Sequence, residues 1–167
     1  MGAAVYATAG TTAVHLGRCL RPADAAIRFA GTLMPSDPQL DRLKFDANGL
    51  LPIVVQDHAS GEVLMMAYMN REAIEQTIAT GKVHTYSRSR GRLALKGETS
   101  GHFQLVKEIR TDCDRDVVLF KVEQIVAACH EGYRSCFFRQ YERGAGDWKV
   151  VATKAFDPDA VYEQRKK

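Results

Sequence analysis

The sequence predicts a mainly β fold with one clear helix, gathered into one compact domain. Three observations predict it. Short apolar, β-branched runs recur between turn residues, as half-buried strands require. Only one stretch carries helical periodicity with a cap at each end. The chain has 167 residues, 46% hydrophobic and 26% charged, which suits one ordinary globular core.

The elements follow in order. Residues 1–42 form a tail rich in Ala, Gly and Thr, with Arg18, Arg21 and Arg28 and a single early acid, Asp24, that can cap a short helix through Phe29. The tail is basic and acid-poor but lacks the serines of a transit peptide. It reads as a non-essential extension, with Met34 as an alternative start and Cys19 as a free thiol. The domain occupies 43–144. Leu50 to Gln56 is a strand after the Asn48-Gly49 turn, Asp57 to Gly61 a turn, and Glu62 to Met69 the second arm of a hairpin. Asn70 caps a helix from Arg71 to Thr80, which buries Ala73, Ile74 and Ile78 and stops at Gly81. Val83 to Ser87 is a strand, Arg88 to Leu95 a further hairpin, and Lys96 to Gly101 a polar loop. Phe103 to Arg110 alternates as a strand, with Phe103, Leu105 and Ile109 in phase and Val106 out of it. Val117 to Gln124 and Cys136 to Tyr141 complete the strands. Residues 145–167 are a polar tail with Trp148 as its aromatic anchor and a short helix within Asp157 to Lys167.

Composition excludes several classes. A formal net charge of +3 is too weak to argue for nucleic acid. No apolar run approaches the roughly 18 residues of a membrane span, and His15, Arg18 and Arg21 interrupt any signal-peptide core. A cytoplasmic protein with reduced cysteines is expected.

The chemistry concentrates between Asp112 and Cys136. Asp112, Asp114 and Asp116 alternate with Cys113 and Arg115; in an extended segment the three carboxylates share one face and Cys113 takes the other. Three such acids alone read better as a solvated turn. Beside thiols and a basic loop they read as an oxygen-rich magnesium site. An EF-hand is excluded, because Val117 stands where its glycine must be. Cys113, Cys129 and Cys136 lack paired C-x-x-C spacing, yet three thiolates leave one tetrahedral position open, as in a catalytic zinc site. His130 is either a fourth ligand, which would make the site structural, or a general base beside a zinc-activated water. The set Arg88, Ser89, Arg90, Arg92, Lys96, Thr99 and Ser100 combines arginine forks, hydroxyls and glycine turns suited to phosphate. On charge alone it is a solvated hairpin face.

The motifs, in their order, carry a resemblance. Lys44-Phe45-Asp46 with Gly49 to Pro52, Gly61 through Asn70, Ser87-Arg88-Ser89-Arg90, Lys96 through Gly101, Asp112 through Asp116, Ala128-Cys129-His130 and Ser135-Cys136-Phe137 resemble phosphoribosyl-AMP cyclohydrolase, over about residues 43–141. The resemblance implies a mainly β, intertwined homodimer that takes phosphoribosyl-AMP and opens its adenine ring between N1 and C6, the third step of histidine biosynthesis. It implies one zinc per subunit, bound by Cys113, Cys129 and Cys136 across the dimer interface, and magnesium on Asp112, Asp114 and Asp116. It makes His130 the proton-handling residue, and Arg88, Ser89, Arg90, Lys96, Thr99 and Ser100 phosphate contacts. No nucleic acid or membrane partner is implied. Two positions depart from the family pattern: Ala94, commonly Trp, and Glu131, commonly Thr. A carboxylate at Glu131 favours the protonated form of His130. Two rivals remain on the residues alone. A zinc-dependent nucleobase deaminase lacks here its H-x-E and P-C-x-x-C signatures, and a structural zinc module would need a closed site. A fused pyrophosphohydrolase domain is not expected after Tyr141.

Overall fold

A computed structural model describes residues 37–162. The expectations for Asp24, Met34 and Cys19 lie outside the described residues. After a short 3-10 turn at Leu40–Arg42, the chain forms β1 (Leu51–Asp57), β2 (Val63–Met69), α1 (Arg71–Thr80), β3 (His84–Ser87), β4 (Arg92–Leu95), β5 (Gln104–Thr111), β6 (Val118–Gln124), β7 (Arg139–Glu142), β8 (Asp147–Val150) and α2 (Pro158–Tyr162).

Alternation builds the first hairpin as expected. Leu51, Ile53 and Val55 are fully buried while the residues between them are half-buried, and β2 pairs antiparallel with β1. The helix also forms where its caps place it. The Asn70 side chain accepts from the Ala73 N–H at 2.9 Å, and Gly81 ends the helix at φ 67° with its N–H on the Thr77 carbonyl. Ala73, Ile74 and Thr77 face inward, and Ile78 packs against the core.

One sheet organises the domain, in the order β2-β1-β6-β5. Its two central strands, β1 and β6, run parallel, with Ile53 opposite Val118 and Val55 opposite Phe120. A parallel neighbour needs a crossover, which α1 and the β3–β4 hairpin supply. Their side chains meet Leu51, Ile53, Val118, Phe120 and Val122 in the core.

Two strand expectations need correction. In β5 Val106 is buried and Ile109 is 41% exposed, the reverse of the phase read from sequence. Pairing shifts between Val106 and Glu108, so Lys107 is an extra residue that brings Ile109, opposite Phe120, onto the same face as Val106, opposite Val122. Ile109 is exposed there because it lies toward the open end of an edge strand. Gln104 takes the remaining inward position because Gln124 Oε1 accepts from its Nε2 at 2.8 Å. The strand expected from Cys136 starts only at Arg139, because the Cys136 N–H donates instead to Leu64 O on β2 at 2.7 Å. β7 pairs with β8, and the chain then returns so that the Ala155 N–H reaches Gly132 O at 2.8 Å.

Candidate active site

The segment after β6 carries two of the three thiols. Its shape comes from local bonds: Ala128 N–H donates to Arg134 O, Cys129 N–H to Tyr133 O and Gly132 N–H to Cys129 O. Val126, β-branched, is held at φ 57°, the kind of backbone strain that persists only where surroundings enforce it. Gly132 sits at φ 95°, and an added Cβ would lie 2.5 Å from Phe156 O.

Long-range bonds then dock this segment on the β1–β2 hairpin. Arg134 Nη2 donates to Asp57 Oδ2 at 2.7 Å, and its Nε approaches Glu62 at 3.3 Å. Ser135 Oγ donates to Val63 O at 2.8 Å. Asp57 is 5% exposed and also accepts from Ser60 N–H, Ser60 Oγ and Ala59 N–H. Its carboxyl is held below the ordinary range, first by the Ser60 N–H and against the effect of burial.

The result sets Cys129 and Cys136 side by side. Cys129 is buried. Cys136 is exposed at the surface, yet its thiol lies against Cys129 and is pushed up to about 11 by local desolvation and then by Cys129, with Lys96 opposing. His130 is exposed directly beside them. Glu131 accepts from Arg139 at 3.1 Å, so its charge is committed to that guanidinium.

Asp112, Asp114 and Asp116 also come together, though not by strand alternation. The stretch is the turn between β5 and β6, with Arg115 at φ 65°. The chain must reverse there, and the reversal gathers the three carboxylates within 4.8 Å of one another. Val117 N–H donates to Asp112 Oδ1 at 3.3 Å. The Asp116 carboxyl is raised, chiefly by its hydrogen bond with Asp112 and then by desolvation and the neighbouring charges. Like charges so close favour a bound cation.

The two clusters stand apart within one chain. β6 is 7 residues long. At about 3.3 Å per residue, its ends are roughly 20 Å apart. Cys113, exposed, lies with the aspartates at one end, and Cys129 with Cys136 at the other. Among the described residues the aspartates alone form a group of three close enough to hold an ion. The basic set is divided as well. Arg88 lies over the Tyr68 ring at 3.9 Å, and Tyr68 pairs with Pro52 near the aspartate end of the sheet. Ser89 and Arg90 share its exposed turn. Lys96 lies at the thiol end, where its Nζ donates to Ala128 O at 2.7 Å. Thr99 and Ser100 belong to the turn just after it.

Comparison with known proteins shows the family. A family model described as phosphoribosyl-AMP cyclohydrolase matches residues 65–138. A phosphoribosyl-AMP cyclohydrolase of Pelotomaculum thermopropionicum is 58% identical over 132 residues, 79% of this chain and 100% of its own length. One from Methanocella arvoryzae is 60% identical over 116 residues, 70% of this chain and 93% of its own. The chain belongs to the phosphoribosyl-AMP cyclohydrolase family. A histidine biosynthesis bifunctional protein of Thermoanaerobacter pseudethanolicus is 53% identical over 124 residues, 74% of this chain but 56% of that protein. The span matched by the cyclohydrolase family model contains both clusters and the arginine turn. It leaves out Asp57, which the sequence reading also missed. The only sequence signal for Asp57 was an acid at the end of the largely apolar run Leu51 to Val55.

Proposed function

We propose that this chain opens the adenine ring of phosphoribosyl-AMP by hydrolysis between N1 and C6, with the thiol segment as its catalytic centre. The reaction is a step of histidine biosynthesis. The observation that carries the placement is the pairing of Cys129 with Cys136 beside an exposed His130.

The donor set fits zinc. Two adjacent thiols offer soft sulfur ligands, and the proton held by the Cys136 thiol, its pKa pushed up to about 11, is one that a soft cation displaces. Cys113 is the third ligand, and its place at the far end of β6 makes it the ligand of a second copy. Exposed apolar side chains on both edge strands, Val63 and Met66 on β2 and Ile109 on β5, support a homodimer with shared sites. Zinc bound there supplies Lewis-acid activation of water, and magnesium on Asp112, Asp114 and Asp116 supplies positive charge for phosphate.

The protein's own residues do the rest. His130 takes a proton from the attacking water at a ring nitrogen. The water oxygen ends on C6 as the carboxamide, the N1–C6 bond breaks, and N1 receives a proton. Arg88, Ser89, Arg90, Thr99 and Ser100 hold the phosphates and so fix the ring. Pairing of two copies is what brings the aspartate and arginine end of one chain to the thiol end of the other.

The test is ring opening followed by absorbance, on metal-replete protein before and after a zinc chelator. Turnover that disappears on chelation and returns with zinc is expected. Turnover that persists in zinc-free protein removes the thiol segment from the chemistry.

A further inference from the structure

Lys96 joins the polar loop after β4 to the thiol segment. Its backbone N–H donates to Val83 O at 2.9 Å, which fixes the residue just past the strand. Its Nζ donates to Ala128 O at 2.7 Å, and Ala128, 2% exposed, directly precedes Cys129. An ammonium that leaves water ordinarily finds a carboxylate. Among the described residues no carboxylate lies within ion-pairing distance of Lys96. Burial lowers the Lys96 pKa, and the groups beside it whose negative charge opposes this are Cys136 and Cys129. His102, buried nearby, is lowered first by desolvation and then by Lys96, so no second cation competes there.

Charge counting gives the arrangement a purpose. Three thiolates and one divalent ion carry a net charge of −1, and at the buried Cys129 side of the site an unbalanced charge is costly. One ammonium held at the neighbouring carbonyl balances it. We propose that Lys96 is a positioning residue for the thiol centre, its ammonium the fixed counter-charge of the three-thiolate zinc site. It is thereby removed from the phosphate contacts. The inference rests on the reading of Cys129 and Cys136 as zinc ligands.

The experiment follows zinc transfer to a chromophoric chelator from metal-loaded wild type, Lys96→Gln and Lys96→Arg, with kcat and KM measured alongside. Lys96→Gln keeps a donor for Ala128 O and removes the charge. It should lose zinc roughly tenfold faster or more, as loss of a supporting group around a metal does. Lys96→Arg keeps the charge and should retain zinc within a fewfold of wild type. Where Gln falls short of the carbonyl and the fold loosens, acetyl-lysine at position 96 keeps the stem and an N–H while removing only the charge. Cobalt-substituted protein adds a second readout, since the thiolate charge-transfer band should shift in the neutral variants. Two results overturn the proposal: zinc retention as in wild type with a raised KM alone, which returns Lys96 to the phosphates, or equal zinc loss in the Arg and neutral variants. A wild type that holds no zinc would instead overturn the ligand assignment itself.

Discussion

Asp57→Ala should loosen the segment that carries both paired thiols, at a cost that can be worked from the contacts. Asp57 Oδ1 accepts from Ser60 N–H at 2.8 Å, Ser60 Oγ at 2.9 Å and Ala59 N–H at 3.2 Å, and Oδ2 accepts from Arg134 at 2.7 Å. Each lost hydrogen bond contributes about 1 kcal/mol, so the turn accounts for roughly 2–3 kcal/mol. Arg134 is 41% exposed on its side chain, so water takes up much of its lost partner. The ion pair therefore adds only about 1 kcal/mol, and the total is about 3–4 kcal/mol. Asp57→Asn keeps the turn acceptor and loses the charge, a change of about 1–2 kcal/mol. The assay is urea unfolding at matched protein concentration, so that any association between copies contributes equally to each variant. The pH dependence has a definite sign. The folded pKa lies below the ordinary 3.8, so the stabilisation is complete above that value and disappears as pH falls through the folded one. The gap between wild type and Asp57→Asn should thus be full at neutral pH and close in acid below 3.8. An alanine variant within about 1 kcal/mol of wild type would refute the docking argument.

Two other outcomes follow from the same geometry. Gly132→Ala puts a Cβ at 2.5 Å from Phe156 O and a side chain at φ 95°. Unfolding should show a loss of about 2 kcal/mol or more, since backbone rather than a flexible side chain must shift. Mixing inactive Cys113→Ser with inactive Cys129→Ser subunits should restore about a quarter of wild-type turnover, because random pairing makes half the dimers mixed and each mixed dimer has one complete site. No recovery after subunit exchange would place all three ligands in one chain.

The local elements were legible because their determinants are local. The Asn70 cap, the inward Ala73 and Ile74 and the terminal Gly81 lie within one helix and its flanks, and they set its ends. Alternation along Leu51, Ile53 and Val55 chose the buried face of β1 without reference to any partner. The motifs with thiols, acids and arginines also sufficed to indicate the family, since they name the donors that the chemistry needs. Alternation failed in β5 because Gln104 and Val106, rather than Leu105, take the buried face, and one inserted residue, Lys107, then moves Ile109 onto that same face; nothing in its identity announces a bulge.

Distance was beyond the sequence. Cys113 and Cys129 look like neighbours along the chain, yet β6 runs straight between them and holds them at opposite ends of the sheet. Arg134 and Asp57 are 77 positions apart and meet at 2.7 Å, because the parallel pairing of β1 with β6 carries both to the same edge. Lys96 looked like part of one basic set with Arg88, and the β3–β4 hairpin sends the two to different ends. The sequence by itself determined which chemical groups are present and which short elements bear them, because those depend on neighbours along the chain. Only the tertiary structure decided which groups share a site, because that depends on strand order and on contacts that local propensity does not encode.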